Sequence, residues 1–243
     1  MRKLLLLLLL LPLADTGCRK DYRDNFLPVK PKHFLSGDKY EKLVVEVVYV
    51  EGYAPDAQTI THLQNFLAAR LNKPKGIFVT QRSIPSPGYS TITRKDLEQI
   101  EKTERTQFTK GKRLAAFVFF ANAPYSEDAG NNHILGVAYG TTAIGIFEKT
   151  VKDFSGGISQ PTTFVLEATT LEHEFGHLFG LVDNGTPMQS SHKDEANGPH
   201  CTDTHCLMYY QVETTDFLAN LMPGQVPEFD AQCLADLRAN GGK

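Results

Sequence analysis

Two imidazoles, His173 and His177, stand four residues apart, and a carboxylate, Glu174, directly follows the first. An α-helix turns about 100° per residue, so positions i and i+4 share one face and their side chains converge. Two convergent imidazoles make half of a zinc site, and Glu174 beside them is a candidate general base. Gly180 follows the second histidine by three residues, where it can cap the helix and re-aim the chain. The chemistry that this set allows is metal-assisted hydrolysis.

A catalytic zinc site of this kind takes three protein ligands, so one is still to be found. By spacing the first candidate is Asp183, three residues after Gly180. A carboxylate oxygen binds zinc at about 2.0–2.2 Å, much as an imidazole nitrogen does. Asp183-Asn184-Gly185 also reads as an ordinary turn that needs no metal. His192 and His200 lie further along the same polar stretch and are the alternatives, His192 by folding back.

These side chains need a frame. Pro161-Thr162-Thr163 offers a helix start, and Phe164 to Phe179 runs on without a breaker. Leu43 to Val50, Lys75 to Thr80 and Leu114 to Ala121 read as strands, with helices expected over Ala57 to Leu71 and Arg94 to Gln107. Ile134 to Tyr139 and Thr142 to Phe147 read as shorter, glycine-containing strands. Residues 183 to 205 lack apolar periodicity and are expected to form a long functional loop, before a last helix within Pro227 to Asn240. Strands alternating with helices indicate an α/β fold with a twisted mixed sheet.

The pattern from His173 to Asp183, with Met208 downstream, resembles the metzincin metalloproteases, whose motif is HExxHxxGxx followed by His or Asp and later a Met-turn. The resemblance implies a zincin fold, with His173 and His177 as zinc ligands, Glu174 as general base and Met208 beneath the metal. The form ending in Asp183 is similar to snapalysin-like enzymes. His200-Cys201, with Cys206 and Met208 following, resembles the archaemetzincin pattern instead, which implies His200 as third ligand and residues 181 to 199 as largely insertion. That family carries four cysteines around a second, structural zinc. Cys201, Cys206 and Cys233 match three of them, and Asp236 stands at the fourth, where it or His205 would have to substitute. In an exported protein a disulfide between two of the three thiols is the expected fate, with the second zinc as the alternative. Tyr210, two after Met208, matches a tyrosine of astacin-like members, which implies a hydrogen bond to a developing oxyanion.

The chain has 243 residues, 41% hydrophobic and 22% charged, with net charge −3, which suits one globular domain and excludes a strongly basic nucleic-acid surface. Arg2 and Lys3 precede an unbroken leucine run, so residues 1–17 read as a signal peptide. Thr16-Gly17-Cys18 resembles a bacterial lipoprotein signal, which implies acylation of Cys18 and a place in the cell envelope; Asp15 departs from that pattern. Residues 18–42 read as a tether and 43–243 as the catalytic domain. The expected activity is that of a zinc endopeptidase on peptide or protein substrates, an extended peptide pairing with the Ile134 to Tyr139 strand. The alternative is a non-catalytic, zinc-stabilised surface binding lipoprotein of protease-like fold, against which Glu174 argues, since a structural site has no use for a base.

Overall fold

A computed structural model describes residues 29–215, 217, 221 and 224–243. The leader and Cys18 lie outside the described residues. In chain order the elements are α1 (Pro31–Leu35), β1 (Lys42–Val50), α2 (Ala57–Arg70), β2 (Ile77–Ile84), α3 (Arg94–Glu104) and β3 (Arg113–Phe120). There follow β4 (Gly136–Tyr139), β5 (Ala143–Ile146), α4 (Glu148–Asp153), α5 (Thr163–Leu178) and α6 (Ala231–Ala239). A 3₁₀ turn at Tyr210–Glu213 precedes α6. Among the described residues no helix is long and apolar enough to cross a membrane.

The expected α/β architecture is observed. Five strands form one sheet in the order β2-β1-β3-β5-β4. All neighbours run parallel except β4, which is antiparallel to β5 and forms one edge. Side chains alternate between faces along a strand. Accordingly Leu43, Val45 and Val47 of β1 and Leu114, Ala116 and Val118 of β3 join one core, with α2 and α5 residues. Val48, Val50, Phe117 and Phe119 join a second core on the opposite face, with Leu97 and Ile100 of α3. Burial on both faces explains why β1 and β3 read as near-continuous apolar runs. Glu46, buried in β1, is offset by Thr106 and Gln107, whose backbone N–H groups donate to it at 2.9 and 2.8 Å.

The packed body begins earlier than residue 43. Phe34, Leu35 and Tyr40 are buried, and the Phe34 ring lies 6.0 Å from Phe179 at the end of α5. Buried Lys73 donates to the carbonyls of His33, Ser36 and Tyr40 at 2.7, 2.6 and 3.0 Å, and burial brings its pKa down to about 8. Residues 29–42 are therefore no part of a tether.

α5 is the spine of the site. Thr162 caps it by accepting from the Val165 N–H at 3.2 Å. Every residue from Val165 to Gly176 is buried, so the helix lies inside the molecule between sheet, α2 and the C-terminal segment. It ends at Gly180, whose φ is +71° and whose missing side chain leaves room for Pro31: a Cβ there would stand 2.6 Å from the proline Cγ.

Candidate metal centre

His173 and His177 converge from one face of α5, with their Nε2 atoms 3.0 Å apart. The third imidazole is His200. Its ring stacks on His173 at 5.3 Å and meets His177 edge-on at 5.0 Å between centroids. One ring nitrogen from each of the three lies within 4.8 Å of the others. Nδ1 of His173 is 2.7 Å from the Leu207 carbonyl, and Nδ1 of His200 is 2.6 Å from the Asn197 carbonyl. A carbonyl can only accept, so each Nδ1 is the N–H donor and Nε2 carries the lone pair; such outer partners fix tautomer and orientation in metal sites. Burial, aided by the nearby His200, holds His173 down at about 3, and burial likewise lowers His177 and His200. Neutral imidazoles with convergent lone pairs are what zinc requires, so this donor set fits the ion.

Asp183, the candidate by spacing, is not brought to this cluster. Val182 and Asp183 adopt left-handed backbone, φ 52° and 62°, and the carboxylate points outward, 3.3 Å from Lys193 Nζ and 60% exposed. The loop beyond it makes two arms bridged antiparallel at Lys193 and Cys201. Thr202 N–H donates to the His192 carbonyl at 2.9 Å, and Asp194 N–H to the His200 carbonyl at 2.7 Å. This pairing carries His200 over α5 and turns His192 away from it.

Glu174 is fully buried between α5 and the edge strand. Its space exists because position 136 of β4 is glycine: a Cβ there would stand 3.1 Å from Glu174 Cγ and 3.2 Å from Oε1. Met208 lies under the helix against another glycine, its Sδ 2.2 Å from where a Gly176 Cβ would be. The Met208 carbonyl accepts from Cys201 N–H at 2.7 Å, so one turn supports both His173, through Leu207, and the His200-Cys201 strand. Tyr210 sits further out. Its hydroxyl accepts from Gln211 Nε2 at 3.2 Å and its ring meets Tyr209 at 4.8 Å.

His192 belongs to a second cluster. Its Nδ1 lies 3.4 Å from Cys201 Sγ and 3.9 Å from Cys233 Sγ, and Cys206 Sγ is 3.7 Å from Cys233 Sγ. Its Nε2 meets Asp236 Oδ2 at 2.8 Å. Asp230, which caps α6, also reaches Cys201 Sγ, at 3.3 Å. All three cysteines are thiols, and a sulfur separation of 3.7 Å is far from the roughly 2.05 Å of a disulfide, so the expected bridge is not formed. Zinc–sulfur bonds of about 2.3 Å and zinc–nitrogen bonds of about 2.05 Å at tetrahedral angles put S···S near 3.8 Å and S···N near 3.6 Å. The spacings of His192 to Cys201 and Cys233 fit such a set, and the four ligand atoms that lie within 4.8 Å of one another are those of His192, Cys201, Cys233 and Asp230, with Cys206 beside Cys233. Hydrogen bonds from the Cys206 and Cys233 thiols hold the Cys201 thiol below its usual range. Sequence reasoning looked to Asp236 or His205 to complete the cysteine cluster, whereas the structure brings His192 and Asp230 to the thiols, a pair it had not placed there. His205 is instead beside Asp203 on the surface.

No family model matches the chain, and no curated protein matches it in sequence. Among solved structures it is similar to archaemetzincin from Methanopyrus kandleri, with 14% identity and a TM-score of 0.55 over 82% of this chain and 96% of that one. A zinc-dependent peptidase from Methanocorpusculum labreanum aligns at 12% identity and TM-score 0.46, over 79% of this chain and 99% of that one. Metalloproteinase-II from Bacteroides fragilis aligns at 13% and 0.45, over 86% and 60%. The first likeness establishes a shared fold, the zincin-like architecture expected from the sequence.

Proposed function

We propose that this chain is a zinc-dependent peptidase in which His173, His177 and His200 hold the ion and Glu174 is the general base. The observation that carries the reading is the convergent trio of imidazoles, His173 and His200 buried and His177 half-buried, with the buried Glu174 beside it on α5. When bound, the ion would acidify a water and polarise the scissile carbonyl. Glu174 takes the proton of the attacking water and returns it to the leaving amine. Leu207 and Asn197 hold His173 and His200 in their orientations through Nδ1. β4, at the sheet edge beside Glu174, offers backbone groups to an extended substrate, which makes internal peptide bonds accessible and the enzyme an endopeptidase.

The cluster of His192, Cys201, Cys233 and Asp230, with Cys206 beside Cys233, supports a second, structural zinc, with Asp236 orienting His192 as carboxylates commonly do for metal-bound imidazoles. Export and acylation at Cys18 are proposed from the leader alone, and palmitate labelling lost in Cys18→Ser tests them.

The decisive experiment pairs metal content with cleavage of a peptide library. Wild type should carry two zinc ions and cleave in a chelator-sensitive way; Glu174→Gln should keep both ions and lose cleavage. Well-folded, zinc-loaded wild type that cleaves nothing would replace the peptidase by a zinc-stabilised binding protein of the same fold.

A further inference from the structure

The turn that leaves α5 is gripped by residues 29–35, more than 140 positions earlier in the chain. The Pro31 ring lies between two glycines of that turn. A Cβ on Gly180 would stand 2.6 Å from its Cγ, and one on Gly185 would stand 3.0 Å from the same atom. Pro31 opens α1, where its fixed φ and missing N–H suit the first helical position and make the ring a rigid wedge. Behind it, Phe34 and Leu35 share a core with Phe179, Leu181 and Val182.

The wedge is fixed from its far end. A helix of five residues has no stability of its own, so outside ties decide where α1 sits. Asn72 N–H donates to the Leu35 carbonyl at 2.8 Å, and Lys73 Nζ gathers the carbonyls of His33, Ser36 and Tyr40. The gripped turn is in turn bonded to the metal-site helix. Gly180 N–H donates to the His177 carbonyl at 3.0 Å, and Asn184 Nδ2 donates to the same oxygen at 3.4 Å. Thr186 closes the turn: its N–H donates to the Gly180 carbonyl at 2.9 Å and its hydroxyl to the Phe179 carbonyl at 2.6 Å. Pro31 therefore sits where α5, carrying His177, gives way to the loop that carries His200.

We propose that Pro31 is a positioning residue for the metal centre: seated between Gly180 and Gly185, it fixes the turn that holds His177 and the His200 loop in register. The proposal rests on the zinc reading of the three histidines and deepens it. Two perturbations act on the seat from opposite sides. Pro31→Ala removes Cγ and Cδ and leaves the seat empty. Gly185→Ala overfills it, because Pro31 Cγ and Cδ, at 3.0 and 3.6 Å, are the atoms its Cβ would meet.

The test is competition of the zinc-loaded protein against a chromophoric chelator, with thermal unfolding alongside. The zinc step missing from His200→Ala identifies the histidine centre. Pro31→Ala should weaken that step about tenfold, the low end of what changes just outside the ligands do. Gly185→Ala should weaken it as well, and in the Pro31→Ala background its effect should be about threefold smaller, because the obstructing atoms are gone. Ile100→Ala opens the core on the opposite face of the sheet and should lower the unfolding temperature without moving the step. In the cobalt(II)-substituted protein the visible absorption bands should shift in Pro31→Ala and stay unchanged in Ile100→Ala. A zinc step that Pro31→Ala leaves in place, or that Ile100→Ala weakens equally, overturns the positioning role and leaves the zinc reading standing. A wild type with no His200-dependent zinc step overturns the zinc reading and the proposal with it.

Discussion

Replacing Gly176 by alanine tests how the methionine beneath the helix supports the metal centre. In an open helix the change would be favourable, because alanine exceeds glycine by about 1 kcal/mol in helix propensity. Here the added Cβ would lie 2.2 Å from Met208 Sδ and 3.3 Å from both Met208 Cε and a Phe229 ring carbon. Ordinary contact between such atoms needs about 3.5–4 Å, so Sδ must retreat by more than about 1 Å. Met208 is fully buried and has no solvent to move into. Overpacking of this kind costs about 1–3 kcal/mol, and a displacement that large belongs near the top of the range. The net loss is then about 2 kcal/mol, or a Tm lower by about 4–8 °C for a chain of this size. Movement of Met208 also drags the Leu207 carbonyl off His173 Nδ1, and loss of such a partner typically weakens zinc binding about 10–100-fold. Thermal unfolding of the zinc-loaded protein and competition against a chromophoric chelator read the two effects separately. The double variant Gly176→Ala/Met208→Ala removes the obstructing sulfur, so its destabilisation should fall at least about 1 kcal/mol short of the sum of the single ones. A Gly176→Ala protein as stable as wild type, with unaltered zinc affinity, would refute the packing argument.

Gly136→Ala should retain zinc and fold but lower kcat about 10-fold or more, because its Cβ would press on Glu174 and on Thr170 Cγ2 at 2.6 Å; steady-state kinetics with metal analysis checks it. Asp183→Ala should change stability by less than about 0.5 kcal/mol and leave zinc and cleavage intact, as expected for an exposed pair with Lys193, whereas His200→Ala should lose the ion from the histidine centre. Equal zinc loss in the two variants would return the third ligand to the open question posed by spacing. Glu148 is buried on α4 with its pKa raised from 4.5 to about 9, first by desolvation and then by the Glu167 carboxylate. The folded state therefore holds that proton more tightly than the unfolded one. The stability this contributes is full below about pH 4.5 and is lost as pH rises toward about 9, at most about 1.4 kcal/mol per unit. Glu148→Gln should flatten that decline in urea titrations taken from pH 5 to 9, and an unchanged slope would show that the group titrates normally.

The half of the site that lies on one helix was legible because helical spacing alone places His173, Glu174 and His177 together. β1 and β3 were legible for a related reason, since double-faced burial leaves unbroken apolar runs. The third imidazole of the cluster was not, because the return of His200 to α5 depends on backbone pairing between the arms of a loop with no periodicity. Asp183 had the right spacing, but the left-handed backbone at Val182 and Asp183 aims its side chain at solvent. α1 was missed for want of length: five residues show no helical period, and its burial against Phe179 is a tertiary fact.

The loop between Asp183 and Cys206 donates His192 to the thiol cluster with one arm and His200 to the imidazole cluster with the other. On the proposed two-zinc reading, ions that draw on one strap would not be independent. Whichever ion binds first restricts the strap and leaves less configurational freedom for the second to remove, so the two affinities are linked in the same direction. Metal uptake should then proceed with positive cooperativity. On that reading Cys233→Ser, remote from the histidines in sequence, should weaken the zinc affinity of the histidine cluster as surely as damage to α5 itself.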